Sequence, residues 1–272
     1  LAENKAFADC DVDAPNLHLI YQGQEVLDSR PFYGYKKAVK YDRCCIECGK
    51  CEELCRFGAI KEGRVNQYEC EGCGVCEAFC PARDEQGRTA IRMEENVSGE
   101  LGLYRVNGDP FSTARLRMGN GASGKLVTEV RKRLFNHVTD QELIIIDGSP
   151  GIGCPVIASV TGVDFVLVVA EPSLSGMHDM ERIIETAAGF NVLCAVCINK
   201  YDVNEANTVE IEKFCMARDI PVAGRIPFDP MVVKAVNTGR SVANMPGSAA
   251  AEAIGVVWDN VYSMLFEQKT QE

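Results

Sequence analysis

The sequence predicts an α/β protein, with a mostly parallel sheet covered by helices on both faces and a small inserted α+β module held together by cysteines. Three observations carry this. From Leu143 onward, apolar runs of strand length alternate with amphipathic stretches of helix length. Eight of the fourteen cysteines fall in two identical spacings between residues 45 and 80. The segment around them, residues 41–93, is rich in Cys, Gly, Glu and Arg and poor in periodic apolar content, so something other than a large core must hold it.

The elements follow in chain order. "KAFAD" at Lys5 to Asp9 is a short buried strand. After the cysteine-rich insert, "LGLYRVN" and "STARLRM" alternate enough to be two strands that return to the main body as a hairpin. The strands "LIIID", "DFVLVVA", "NVLCAVCIN" and "PVAGRIP" are separated by helical stretches such as residues 177–190 and 204–219, the alternation of βαβ units. The expected division is one discontinuous domain, residues 1–40 and 94–272, around an inserted domain at 41–93. Its 272 residues and 46% hydrophobic content suffice for such a body with an appendage.

A net charge of -11 argues against nucleic acid or an anionic membrane as the main partner, because both reward Lys and Arg. No apolar run reaches transmembrane length and no secretory leader is visible. The cysteine spacings do not suit disulfide staples, so a reducing, cytoplasmic setting is expected.

Cys45, Cys48, Cys51 and Cys55 follow CxxCxxCxxxC, and Cys70, Cys73, Cys76 and Cys80 repeat it 25 residues on, followed by Pro81. Three closely spaced thiolates wrap three irons of a cubane, while the fourth crosses to the other cluster. The predicted sets are therefore Cys45, Cys48, Cys51 and Cys80 for one 4Fe-4S cluster, and Cys70, Cys73, Cys76 and Cys55 for a second. Zinc sites instead use two CxxC pairs across a longer gap. The repeat extends to "GAI" from Gly58 and "TAI" from Thr89. This block resembles bacterial two-cluster ferredoxins, with two departures: Arg56 where proline often follows the fourth cysteine, and an insertion, "ARDEQGR". Cys44 breaks the shared spacing and reads as a neighbour.

The other cysteines read as structural. Cys194 and Cys197 lie three apart on a strand and so point to opposite faces. Cys215 falls on a helical apolar stripe, and Cys154 opens a helix, where packing is the expected role. His18, His137 and His178 make no ligand or triad spacing.

"LIIIDGSPG" ends a buried strand in Asp147 before a flexible turn, the arrangement in which a Walker-B aspartate holds magnesium near a phosphate. "FADCDVDAPN" ends another strand in Asp9 and Asp11, and the two ends are expected to converge at the carboxyl edge of one sheet. Outside the insert, the chain resembles the MinD/ParA family of deviant Walker P-loop ATPases. With the insert, it resembles the branch that carries a ferredoxin domain. The resemblance implies ATP and Mg²⁺ as ligands, Asp9 and Asp11 as the family's DxD motif with Asp11 orienting the attacking water, and Asp147 as the magnesium aspartate. It further implies Asn199 of "INKYD", with Pro227 and Asp229 of "IPFD", beside the adenine ring, and an ATP-dependent homodimer.

"GNGASGKL" imitates a phosphate-binding loop, but Leu126 follows Lys125 where a magnesium-binding Ser or Thr is needed. The preceding "ARLRM" is also too charged for a central parallel strand. Ser123 to Lys125 therefore reads as a loop and helix start of other use. In the family, a GKGGxGKT-like P-loop lies just before the DxD strand. The expectation is that such a strand, loop and helix, roughly 30 residues, precedes Leu1 in the full protein, with residues 1–4 the tail of that helix.

These features predict an ATP-binding, ATP-hydrolysing iron-sulfur protein whose nucleotide state controls electron transfer or metallocofactor assembly, acting on a redox partner or an assembly client. The alternatives are a ferredoxin-type electron carrier on a non-hydrolysing scaffold and a positioning ATPase. Membrane-binding MinD-type members use a basic C-terminal helix. Here "AEAIGVVWDNVYSMLFEQ" carries Glu252, Asp259 and Glu267 and no Lys or Arg, so it is expected to pack on its own sheet.

Overall fold

The computed structural model describes residues 4–21 and 24–266. Strand β1 (Lys5–Asp9) leads to β2 (Glu25–Tyr33). The cysteine-rich region follows with β3 (Lys37–Lys40), α1 (Lys50–Glu53), β4 (Ile60–Lys61), β5 (Arg64–Val65), α2 (Val75–Ala78) and β6 (Ile91–Glu94). The chain returns through β7 (Val97–Val106), β8 (Asp109–Leu116) and α3 (Ser123–Phe135). It then alternates through β9 (Leu143–Asp147), α4 (Cys154–Val160), β10 (Phe165–Ala170), α5 (Leu174–Gly189), β11 (Leu193–Asn199), α6 (Glu205–Ala217) and β12 (Val222–Ile226). Helices α7 (Pro230–Asn237) and α8 (Ala249–Phe266) close it. Residues 1–3 and Glu267, on which two of the sequence expectations fall, lie outside the described residues.

Two sheets form the α/β body. The first runs β2-β7-β8-β1-β9, with β1 parallel to both β8 and β9 and the β2-β7-β8 meander antiparallel. The second runs β10-β11-β12 and is entirely parallel. Strand β1 has near-continuous burial because it has neighbours on both edges and side chains packed on both faces. On one face, Ala6, Ala8 and Cys10 meet Leu126, Val127, Val130 and Leu134 of α3. On the other, Phe7 stacks on Phe111 at 4.8 Å between ring centres, beside Tyr21 and Tyr104.

The second sheet has helices on both faces. Val168, Ala170, Val196 and Ile198 pack on α5 and α6, where Cys215 is fully buried. On the opposite face Ala195, Cys197 and Ala223 pack on Val257 and Val261 of α8, so that helix lies on its own sheet. Cys194 and Cys197 accordingly sit in different clusters on opposite faces.

As the charge in "ARLRM" leads one to expect, that segment is no central parallel strand: only Phe111 to Thr113 pair in parallel with β1, and the charged end continues antiparallel beside β7. Two local features differ from the sequence reading. Strand β2, largely exposed apart from Phe32 and rich in charge, gave no apolar alternation to read. Cys154 is exposed rather than packed.

Among the described residues, β9 pairs only with β1, and β10 only with β11. Both are aliphatic strands of the kind that parallel sheets bury, yet Ile145 is 38% exposed and Val169 is 57% exposed. Connection β9-α4-β10 therefore joins two sheets, each with an unpaired parallel edge.

Helix α3 crosses α4 at Gly124. A Cβ added there would lie 2.8 Å from Cys154 Cβ and 3.1 Å from its carbonyl oxygen. Gly124 of the imitation phosphate loop is thus a helix-packing feature. Gly124→Ala is expected to destabilise the protein by about 1–3 kcal/mol through overpacking, read as a lower urea midpoint at unchanged slope. An unchanged midpoint would mean that the two helices have room to part.

Candidate functional site

Parallel pairing sets Asp9 directly opposite Asp147 at the carboxyl ends of β1 and β9. Asp9 is fully buried. Its Oδ1 accepts the Asp11 amide at 3.2 Å, and its Oδ2 accepts the amides of Asn16 at 3.0 Å and Leu17 at 3.1 Å. Both oxygens therefore hold the loop that carries Asp11. The Cys10 amide donates to the Asp147 carbonyl at 2.8 Å, and Ser149 Oγ donates to the Cys10 carbonyl at 2.6 Å, so the two strand-end loops are tied together. Ser149 was missed from sequence, although its place in "DGSPG" marks the same turn.

Burial, then the charges of Asp9 and Asp11, push the Asp147 carboxyl up to about 6. Burial likewise raises Asp9, against the three amides that favour its charged form. Asp9 and Asp147 thus sit side by side at one strand edge with Asp11 on the loop that follows, and a cation bound beside them would relieve their mutual repulsion. Cys10, between them, is no nucleophile: burial pushes its thiol up to about 12, against the pull of Arg131.

On the second sheet, Asn199 ends β11 in register with Ile226 of β12, so Pro227 follows on the adjoining strand end. Asp229 caps helices rather than standing free. Its Oδ1 accepts the Met231 amide at 2.8 Å, and its Oδ2 accepts Ser248 Oγ at 2.6 Å and the Ala250 amide at 3.2 Å. Those bonds lower its pKa. Lys200 pairs with Glu171 across neighbouring strand ends at 2.6 Å.

In the cysteine-rich region, β3 pairs antiparallel with β6, and β4 with β5. The 25-residue repeat is visible in the backbone. Gly49 (φ 72°) and Gly74 (φ 76°) occupy the left-handed region just before α1 and α2, each between the second and third cysteine of its block. The core is small: Ala38, Ala59, Ile60, Cys70, Cys76 and Ile91, flanked by Cys51, Cys55 and Cys80.

Cys45, Cys48, Cys51 and Cys80 line one cavity of about 360 Å³, together with Lys40, Gly49 and Pro81. Cys76 is raised to about 11 by burial and by its neighbours Cys70, Cys73 and Cys51, so the two groups adjoin. Amides point at sulfur in both groups: Glu47 to Cys45 Sγ and Ala38 to Cys70 Sγ, each at 3.4 Å. Among the described residues no three His, Cys, Asp or Glu side chains converge on the position of a single ion. A cubane asks for something else, one thiolate at each iron and amide donors to sulfur, and this donor set fits it.

No protein-family profile matches the chain. The structure resembles the septum site-determining protein MinD of Pyrococcus horikoshii, solved with Mg-ADP, with a TM-score of 0.53 at 14% identity over 95% of this chain and 83% of that one. The fold is that of the MinD/ParA-type P-loop ATPases. The chain belongs to the same family as the uncharacterized protein MJ0578 of Methanocaldococcus jannaschii, to which it is 37% identical over 202 residues, 73% of this chain and 68% of the relative. The uncharacterized ATP-binding protein MJ0547 of that organism is 31% identical over 136 residues, 49% of this chain and 50% of its own. A shorter match, 39% over 51 residues, links 18% of this chain to 56% of the pyruvate synthase subunit PorD of Methanothermobacter marburgensis.

Because the folded-state pKa of Asp147 lies above the ordinary 3.8, the native state binds more protons than the unfolded chain between about pH 4 and 6. Its contribution to stability therefore falls as pH rises through that window and stays low above it. Asp147→Asn is expected to stabilise the ligand-free protein at pH 8 by about 1–2 kcal/mol, discounted for partial exposure, and to flatten the pH dependence between 4 and 6. Urea unfolding across that range reads both effects. A variant less stable than wild type at pH 8 would contradict the repulsion.

Proposed function

We propose that the protein is a magnesium-dependent ATPase carrying two 4Fe-4S clusters, coupling nucleotide state to electron transfer or to assembly of iron-sulfur or other metallocofactors. The observation that carries this reading is the cavity lined by Cys45, Cys48, Cys51 and Cys80, where a cysteine from the second block joins three from the first. In this reading these four hold one cluster, and Cys70, Cys73, Cys76 and Cys55 hold the other, in an inserted domain over residues 41–93. The clusters supply reversible one-electron chemistry when bound. Similarity to PorD and to an ATP-binding relative favours the same pairing of properties.

Asp147 would hold Mg²⁺, Asp11 would orient the attacking water, and Asp9 would fix the loop between them through its three amides. Asn199 and Pro227 would flank the base, with Asp229 steadying that end by capping α7 and α8. The unpaired edges of β9 and β10, and the exposed Ile145 and Val169 on them, favour a further strand, loop and helix of the full-length protein in that position, bringing the phosphate-binding loop. An ATP-dependent homodimer, a cytoplasmic location and a redox partner or assembly client complete the proposal. No helix among the described residues is long and apolar enough to cross a membrane.

A second reading, a ferredoxin-type electron carrier on a scaffold that does not hydrolyse nucleotide, is favoured by exposed Ile46, Phe57 and Phe79 around the cysteines, which suit a protein partner. Anaerobic reconstitution is expected to give about eight irons per chain and a reduced-state electron paramagnetic resonance signal. An iron-free chain would end both readings. In the full-length protein, Asp11→Ala is expected to lower Mg²⁺-dependent ATP turnover by about 10²-fold or more. Reversible cluster reduction without any such turnover in the wild type would select the carrier.

A further inference from the structure

Lys37 is a buried cation with no salt-bridge partner among the described residues. The residue is 6% exposed, yet its ammonium donates to two carbonyls, Gln67 at 2.8 Å and Gly119 at 3.1 Å, and to no carboxylate among the described residues. An ammonium so far from water is unfavourable unless negative charge lies close by.

Its surroundings point to where that charge belongs. Gln67 Nε2 returns a hydrogen bond to the Ala38 carbonyl at 2.8 Å, and the Ala38 amide donates to Cys70 Sγ at 3.4 Å. The Cys70 amide in turn donates to Asn66 O at 3.1 Å, so the turn gripped by Lys37 leads directly into Cys70. A cubane held by four thiolates is a net anion.

The same ammonium joins this turn to the body. Gly119 belongs to the β8-α3 loop, and a Cβ on it would lie 2.8 Å from Tyr68 Cδ1, so the Tyr68 ring rests on that loop. Asn96 Nδ2 donates to Asn120 Oδ1 at 2.6 Å. The Leu116 amide at the start of the loop donates to the carbonyl of Val12, the residue after Asp11, at 2.8 Å. Lys37 thus stands between the strand edge that carries the aspartates and the Cys70 turn.

We propose that Lys37 is a positioning residue: it clasps the turn at residues 66–70 to the loop at 117–121, and its charge raises the reduction potential of the cluster held by Cys70, Cys73, Cys76 and Cys55. This rests on the two-cluster reading above. Reduction adds one electron, supplied in a titration by the mediator, and so one negative charge. A fixed neighbouring cation favours the reduced form.

The test uses the full chain, loaded anaerobically, as wild type, Lys37→Met and Lys37→Arg. Mediated titration followed by electron paramagnetic resonance gives the potentials, assigned to each cluster by Cys48→Ala and Cys73→Ala. Lys37→Met is expected to lower the electron affinity of the Cys70 cluster about tenfold, about 59 mV for one electron, with the Cys45 cluster little changed and Lys37→Arg close to wild type. Iron lost from Lys37→Met but retained by Lys37→Arg would equally support the clasp. A fully loaded Lys37→Met with both potentials unchanged, or both shifted alike, overturns the proposal.

Amide exchange on the anaerobically loaded chain supplies an independent arm. Lys37→Met should speed exchange at residues 66–70 and 117–121 while the rest of the body keeps its protection, and unchanged exchange there overturns the clasp. An iron-free wild type would instead overturn the two-cluster reading, and this proposal with it, before any Lys37 variant is compared.

Discussion

The parallel register of β1 with β9 is the constraint on which the α/β body turns. It sets Asp9 opposite Asp147, and a slip of one residue would send every β1 side chain to the wrong face. Phe7 would then leave the aromatic stack, and Ala6 and Ala8 would leave α3. The apolar packing that makes this register stable also concentrates negative charge. Asp147 is left with a raised pKa, and Asp9 stays in place by accepting three amides. A strand edge built this way is unfavourable by itself, and a cation bound there would relieve it.

The cysteine-rich module poses the complementary problem. Its buried core consists of a few small side chains and the cysteines themselves, too little apolar material to fix two short hairpins and two single-turn helices. Metal-ligand bonds would supply what the core lacks, because binding to sites absent from the unfolded chain contributes directly to folding. The module is anchored through the β3-β6 pair and through the loop beginning at Arg117. Gly119 of that loop makes room for Tyr68, and Gly124 makes room for Cys154.

Both halves therefore depend on charge held where water is scarce. Carboxylates gather at one end of the first sheet, thiols gather in the module, and the buried ammonium of Lys37 ties the module's turn to the loop at Gly119. Backbone hydrogen bonds, which do not titrate, hold each of these groups in place.

Patterns with a short period were legible in the sequence by itself. The alternation of "LIIID", "DFVLVVA", "NVLCAVCIN" and "PVAGRIP" with helical stretches gave the parallel strands, and the two-residue period on β11 put Cys194 and Cys197 on opposite faces. The cysteine repeat and the aspartates at strand ends were legible because a fixed spacing along the chain becomes a fixed geometry at once. Tertiary structure alone decided what depends on partners distant in sequence. It placed the charged end of β8 beside the meander, drew β2 into the sheet without an apolar pattern, and buried Lys37 under residues 30 and 82 positions away. No local rule marks such a lysine, because its environment is made by chain segments that meet only when the fold closes.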